Sequence, residues 1–114
     1  MYEAVINELE VFKETMKVFI SQPMKDKSKE EILDTRGVAI LEINNMFPNE
    51  NIEVIDSFIP DNPHSDKPIW CLGESLQYLS DAQFVYFCKG WKKARGCKIE
   101  HAVAVAYKIP HVEE

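Results

Sequence analysis

The chain has 114 residues, 46% of them apolar and 28% charged, with thirteen basic against nineteen acidic side chains and a formal charge of −6. This is globular rather than disordered composition, the length suits one domain with a modest core, and the negative charge works against binding nucleic-acid polymers or anionic membranes. Cys71, Cys88 and Cys97 include no CxxC pair, the N-terminus lacks the basic and apolar regions of a signal peptide, and no apolar run approaches the ~20 residues of a bilayer span, so a reduced, cytoplasmic protein is expected.

Residues 1–15 stand apart from the pattern that follows. Val5, Leu9 and Phe12 are spaced for a short helix, and the segment reads as an extension ahead of a domain spanning 16–114. Lys17–Ile20 contains the apolar run Val18-Phe19-Ile20, which predicts a strand buried on both faces. After the loop 21–27, Ser28 and Glu31 have capping-box spacing, and Ile32, Ala39, Ile40, Ile43 and Phe47 follow at helical intervals, predicting a helix over about 28–46. Ile52–Phe58 alternates and is β-branched, predicting strand 2. The stretch 60–68, dense in Pro, Asp and Asn, is a loop. Ile69, Leu72, Leu76 and Leu79 mark a helix over 69–79, and Phe84–Cys88 is the most strand-like run in the chain. Lys89–Arg95 is a basic loop, Gly96–Tyr107 a final helix, and Ile109–Val112 a short fourth strand.

The order β-α-β-α-β-α-β predicts an α/β fold: a Rossmann-like, flavodoxin-type parallel sheet of about four strands, ordered 2-1-3-4, with helices on both faces. Ligands of such sheets sit beyond the carboxyl ends of the strands, where the order reverses. Two loops occupy that end, one after strand 1 and one after strand 3, and a pocket is expected between them.

The segment from Lys89 to His101 carries five cations and two glycines just ahead of a helix. Helix N-termini present free N–H groups and partial positive charge, which collect phosphates and carboxylates. Glu100 falls in or just after the first turn, where a carboxylate can stay ionised and serve as a nucleophile. Taken alone, such a residue more often simply complements a helix dipole, and the basic run can be a solvated surface. Trp91 either stacks on a base or pins its loop to the domain. Cys97, at a helix start among cations, is a site where a thiol pKa can fall, although such a residue more often simply packs. His64, His101 and His111 are far apart in sequence and none pairs with an acid at helical ligand spacing, so no metal site is expected, and no cofactor.

Val18-Phe19-Ile20-Ser21-Gln22-Pro23-Met24, Lys89-Gly90-Trp91 and Arg95-Gly96-Cys97-Lys98-Ile99-Glu100-His101 resemble a small bacterial and phage family within the nucleoside 2-deoxyribosyltransferase-like superfamily. The likeness runs over roughly residues 17–110. It implies a nucleoside or nucleoside monophosphate as ligand and a glutamate nucleophile, which Glu100 matches, with Gly96 matching a glycine four residues ahead of it. Ser21 and Gln22, followed by Pro23 and Met24, match the loop that wraps the nucleotide, and Gly90, Trp91 and Arg95 fall on its phosphate side. Ser75 stands where the enzymes carry an aspartate that holds the sugar, Gln83 where they often carry another, and Lys93-Ala94 offers no carboxylate for the departing base. The resemblance also implies a homodimer or higher homo-oligomer in which a neighbour completes the pocket. The expectation is therefore N-glycosidic bond cleavage, hydrolytic rather than by base exchange; the alternative is a nucleotide-binding or sensing module without turnover.

Overall fold

The computed structural model describes residues 15–114. The segment 1–14 of the expected extension lies outside the described residues, whereas Thr15 already opens the first strand and pairs with Asn51. In chain order the elements are β1 (Thr15–Ser21), α1 (Lys29–Met46), β2 (Asn51–Val54), α2 (Pro68–Leu79), β3 (Phe84–Phe87), a single 3-10 turn (Trp91–Lys93), α3 (Arg95–Ala106) and β4 (His111–Glu113). All strand pairings are parallel and the sheet order is β2-β1-β3-β4, as the alternation predicts. Among the described residues no helix is long and apolar enough to cross a membrane.

Successive side chains of a strand point to opposite faces, and that alternation builds two cores. Val18, Ile20, Phe84, Tyr86 and Cys88 meet Ala39 and Ile43 of α1 on one face. Phe19, Val85 and Phe87 meet Leu79 of α2 and Cys97 and Ala104 of α3 on the other. The sheet is thus covered on both sides, which is why β1 and β3 carry unbroken apolar runs. The edge strands β2 and β4 have four and three residues, and short edges leave little unpaired backbone to recruit another chain.

Local chemistry sets the helix ends. Ser28 Oγ accepts from Glu31 N at 3.1 Å and Glu31 Oε1 accepts from Ser28 N at 3.4 Å, completing the expected capping box. Pro68 occupies the first position of α2, where its missing N–H costs nothing, so that helix starts one residue before the expected Ile69. Strand β2 is shorter than expected. Ile55 N still bonds Val18 O at 2.9 Å, but Ser57 N then turns back to Ile55 O at 3.0 Å and the chain leaves the sheet. Strand β4 starts later than expected, because Lys108 takes a left-handed φ of 56° and Ile109 N is spent on Ala104 O at the end of α3. Pro110, which has no N–H to offer the ladder, contributes only its carbonyl, to Val85 N at 3.0 Å.

One polar side chain lies inside the α1 core stripe. Arg36 is spaced with Ile32, Ala39 and Ile43 and is buried with them. Its Nη1 donates to Gln22 Oε1 at 3.2 Å, and its Nη2 donates to Ile55 O at 2.7 Å and Ser57 Oγ at 3.4 Å. Burial lowers the Arg36 pKa and the neighbouring Asp56 raises it; a guanidinium remains charged throughout. Arg36 thereby ties α1 to the exits of β1 and β2, the ends of the strands at which the candidate site lies.

Candidate functional site

Ser21 is the last residue of β1 and has the same parity as Phe19, so its hydroxyl points to the α2/α3 face. There it donates to Glu100 Oε1 at 2.7 Å. Ser75, from the middle of α2, donates to Glu100 Oε2. A strand end and two helices thus converge on one carboxylate, and the two loops flanking it adjoin through Pro23 and Gly90. Ser21, Ser75 and Glu100, distant in sequence, form one hydrogen-bonded group at the carboxyl ends of the central strands, at the reversal of strand order.

Glu100 sits in the second turn of α3, just after the first, and is 6% exposed. Burial pushes its carboxyl above the ordinary range, and the hydroxyls of Ser75 and Ser21 pull it partly back. Among the described residues no lysine or arginine pairs with it. The ionised state is thus sustained by hydroxyl dipoles alone, a costlier arrangement than the ionised helix-start carboxylate expected from sequence. Cys97, one turn earlier on the same helix, is buried and its thiol is pushed up to about 11, chiefly by burial. It packs, and a reactive role has no support.

The other sequence candidates separate. Gln22 has the opposite parity to Ser21 and turns to the α1 face, where its Nε2 donates to Ile32 O at 2.9 Å and its Oε1 accepts from Arg36. Both ends of its amide are occupied internally, so it reinforces the fold instead of facing Glu100. Trp91 is buried, its ring stacked on His101 at 4.1 Å and tilted against Phe87 at 5.5 Å. It pins the basic loop, and its ring face is not free for a base. Pro23 is half-buried, Met24 exposed, and Arg95 and Gly96 lie exposed at the start of α3. A Cβ on Gly96 would meet nothing within 4 Å, so the helix edge one turn before Glu100 is open. Gln83 lies at the amino end of β3, where its Oε1 accepts from Lys17 N at 2.9 Å. That end is remote from Glu100, so an aspartate there would not complete this site.

Gly90 adopts a left-handed φ of 88° to start the 3-10 turn. A Cβ there would touch Pro23 Cγ at an ordinary 3.6 Å, leaving backbone strain as the main obstacle. Gly90→Ala should cost about 1–2 kcal/mol in chemical denaturation, and Gly90→Asn less, because asparagine tolerates this region. Equal stability of Gly90→Ala and wild type would mean that the turn relaxes.

An open hollow of about 410 Å³ is lined by both loops beside α1, through Pro23, Lys27, Thr35, Val38, Lys89 and Glu114. It belongs to the α1 face, while the serine–glutamate group belongs to the α2/α3 face. The structure thus divides the surroundings of the two loops between the two sides of the sheet.

Two groupings escaped sequence reasoning. The Arg36–Gln22 pair was signalled by an arginine in the core phase of α1. The second comprises His101, His111 and Glu113, whose ligand-capable atoms lie within 4.8 Å of one another. A His-x-Glu on a strand places both side chains on one face, and that period of two was the available signal.

No family model, curated protein or solved structure matches the chain.

Proposed function

We propose that the protein cleaves the N-glycosidic bond of a nucleoside or nucleoside monophosphate, with the Glu100 carboxylate attacking C1′. The observation that carries this reading is a buried carboxylate with no cationic partner among the described residues, each oxygen held by a serine hydroxyl, at the carboxyl end of a parallel sheet. A carboxylate left so in a protein interior costs stability, and such costs concentrate where a group has chemical work. The likeness of the Ser21–Met24 and Arg95–His101 segments to nucleoside 2-deoxyribosyltransferase-like enzymes supports the same choice of substrate.

In this mechanism one Glu100 oxygen forms a bond to C1′ as the C1′–N bond breaks and the base departs, taking up a proton from solvent. Water then attacks C1′ and releases Glu100, giving net retention. Ser21 and Ser75 hold the carboxylate in line and stabilise its charge before attack. The open edge at Gly96, on the same face of α3 as Glu100, is the route by which the sugar approaches. A second copy of the chain closes the pocket in this reading, and the highly exposed Ile69 and Tyr107 are apolar surfaces suited to such a contact.

A second reading, a nucleotide-binding module without turnover, has one observation in its favour. Among the described residues no other carboxylate bonds to the serine–glutamate group, so the group itself offers no general acid to the departing base. Incubating the protein with ribo- and deoxyribonucleosides and their monophosphates, and separating the products by chromatography, tests the choice. Free base and free sugar support cleavage; tight binding with no base released supports the module.

Arg95, exposed at the first position of α3, is the phosphate ligand in both readings. Arg95→Ala should weaken a nucleoside monophosphate by one to two orders of magnitude in titration calorimetry and the matching nucleoside hardly at all, since a charge-assisted hydrogen bond contributes about 1.5–3 kcal/mol. Equal losses for both ligands would assign Arg95 to loop support.

A further inference from the structure

We propose that His101, His111 and Glu113 form a binding site for a zinc-class divalent ion that ties the edge strand β4 to α3. His111 and Glu113 alternate on β4 and pair with Val85 and Phe87, whose side chains face the α2/α3 core. Both therefore point toward α3, from which His101 reaches across. His101 Nε2 lies 2.5 Å from Glu113 Oε1, and His111 Nε2 lies 3.8 Å from the same oxygen.

The rings are oriented as metal ligands require. His111 Nδ1 is 3.0 Å from Ile109 O. A carbonyl only accepts, so Nδ1 carries a proton and Nε2 is the ligand atom of the neutral ring, at the cluster and without a hydrogen-bond partner among the described residues. A backbone carbonyl on the far nitrogen is the usual way a ligating imidazole is fixed. His101 is held by the stacked Trp91 at 4.1 Å and by the edge of Phe87 at 5.0 Å. Two of the three side chains are therefore placed before any ion arrives, and Glu113, the most exposed, supplies the adjustment.

Ligand atoms on a tetrahedral zinc ion stand about 3.3 Å apart, given bonds of about 2.0–2.1 Å. Turning the Glu113 carboxylate away from His101 opens the 2.5 Å contact toward that spacing. The ion replaces the proton that His101 Nε2 shares with Glu113; that proton passes to solvent while Nδ1 takes one up from solvent, so the neutral imidazole changes tautomer with no net proton released. Two imidazoles and a carboxylate select zinc, cobalt, nickel or copper over magnesium and calcium, and water completes the coordination. His101 follows Glu100 on α3, but the cluster shares no hydrogen bond with the serine–glutamate group, and ion binding there does not rest on the proposed cleavage. The ion's role is to fasten a three-residue edge strand that pairs with β3 alone, in place of the direct His101–Glu113 contact.

The test uses the untagged full chain stripped with a chelator and titrated with zinc chloride by calorimetry, with cobalt absorbance in parallel. Expected are one ion per chain, visible cobalt bands of a four- or five-coordinate site, a melting temperature that rises with zinc, and no competition from magnesium. His111→Ala and Glu113→Gln should each weaken zinc by at least about tenfold, while His64→Ala, outside the cluster, leaves it unchanged. Glu113→Gln conserves shape, so it reports on ligation even if His111→Ala folds poorly. Zinc bound as tightly by Glu113→Gln and His111→Ala as by wild type, or no zinc bound by wild type, overturns the proposal.

Discussion

Glu100→Gln should reduce release of free base by a thousandfold or more, about 4 kcal/mol of transition-state stabilisation, while binding of a nucleoside monophosphate is kept or improved. A glutamine has nearly the shape of glutamate and can hold both serines, accepting from one hydroxyl and donating to the other. It cannot form the glycosyl ester. Removing a carboxylate from beside an anionic substrate also lowers a ground-state repulsion. The same variant has a stability signature. Because burial raises the Glu100 pKa, the folded protein holds this proton more tightly than the unfolded chain does. The stabilisation from the protonated form is therefore complete below the ordinary carboxyl range and is lost as pH rises through the raised folded value. Glu100→Gln lacks that loss, so its melting temperature should gain on wild type as pH rises from mildly acidic toward neutral. Activity runs the other way: wild type needs the ionised form, so base release should increase over the same interval. Base release by Glu100→Gln at the wild-type rate would remove Glu100 from the mechanism. Absence of base release by wild type, with Glu100→Gln altering affinity alone, would establish the binding module.

Phe87→Ala should cost about 3–5 kcal/mol and bring the domain close to unfolding, since total stabilities are only about 5–15 kcal/mol. Phe87 is fully buried in the core shared by β1, β3, α2 and α3. Its ring meets Trp91 at 5.5 Å, His101 at 5.0 Å and His111 at 5.7 Å, so truncation leaves a void that the sheet cannot close. Urea unfolding should show a lower midpoint with an unchanged slope. Tyr107→Ala, at a residue 78% exposed, should stay within about 0.5 kcal/mol of wild type. A Phe87→Ala midpoint near that of wild type would mean that the core repacks around the loss.

Much of the fold was legible because its signals are local. The run Val18-Phe19-Ile20 declared a strand buried on both faces, and Ser28 with Glu31 declared the start of α1. The alternation of strands and helices left the order β2-β1-β3-β4 as the natural right-handed winding. Helix starts came within a residue of expectation because caps and prolines act on their nearest neighbours. Strand ends did not. Where β2 stops and β4 starts depends on which partner backbone is alongside, as with Ile55 on Val18 and Ile109 on Ala104, and no run of side chains encodes that.

For the candidate site, the sequence by itself placed Ser21 and a basic loop before α3 at the carboxyl end of the sheet and singled out Glu100, and the resemblance added Ser75. Only the tertiary structure decided which of them meet. Adjacent strand residues face opposite sides of the sheet, so Ser21 reaches Glu100 while Gln22 is bound into α1 by Arg36. The same packing buries Trp91, raises the Glu100 carboxyl and the Cys97 thiol, and draws His101, His111 and Glu113 into one cluster. Burial and proximity belong to the assembled sheet and its helices. They are set by contacts between residues tens of positions apart, whereas spacing along the chain records only the parity within each strand.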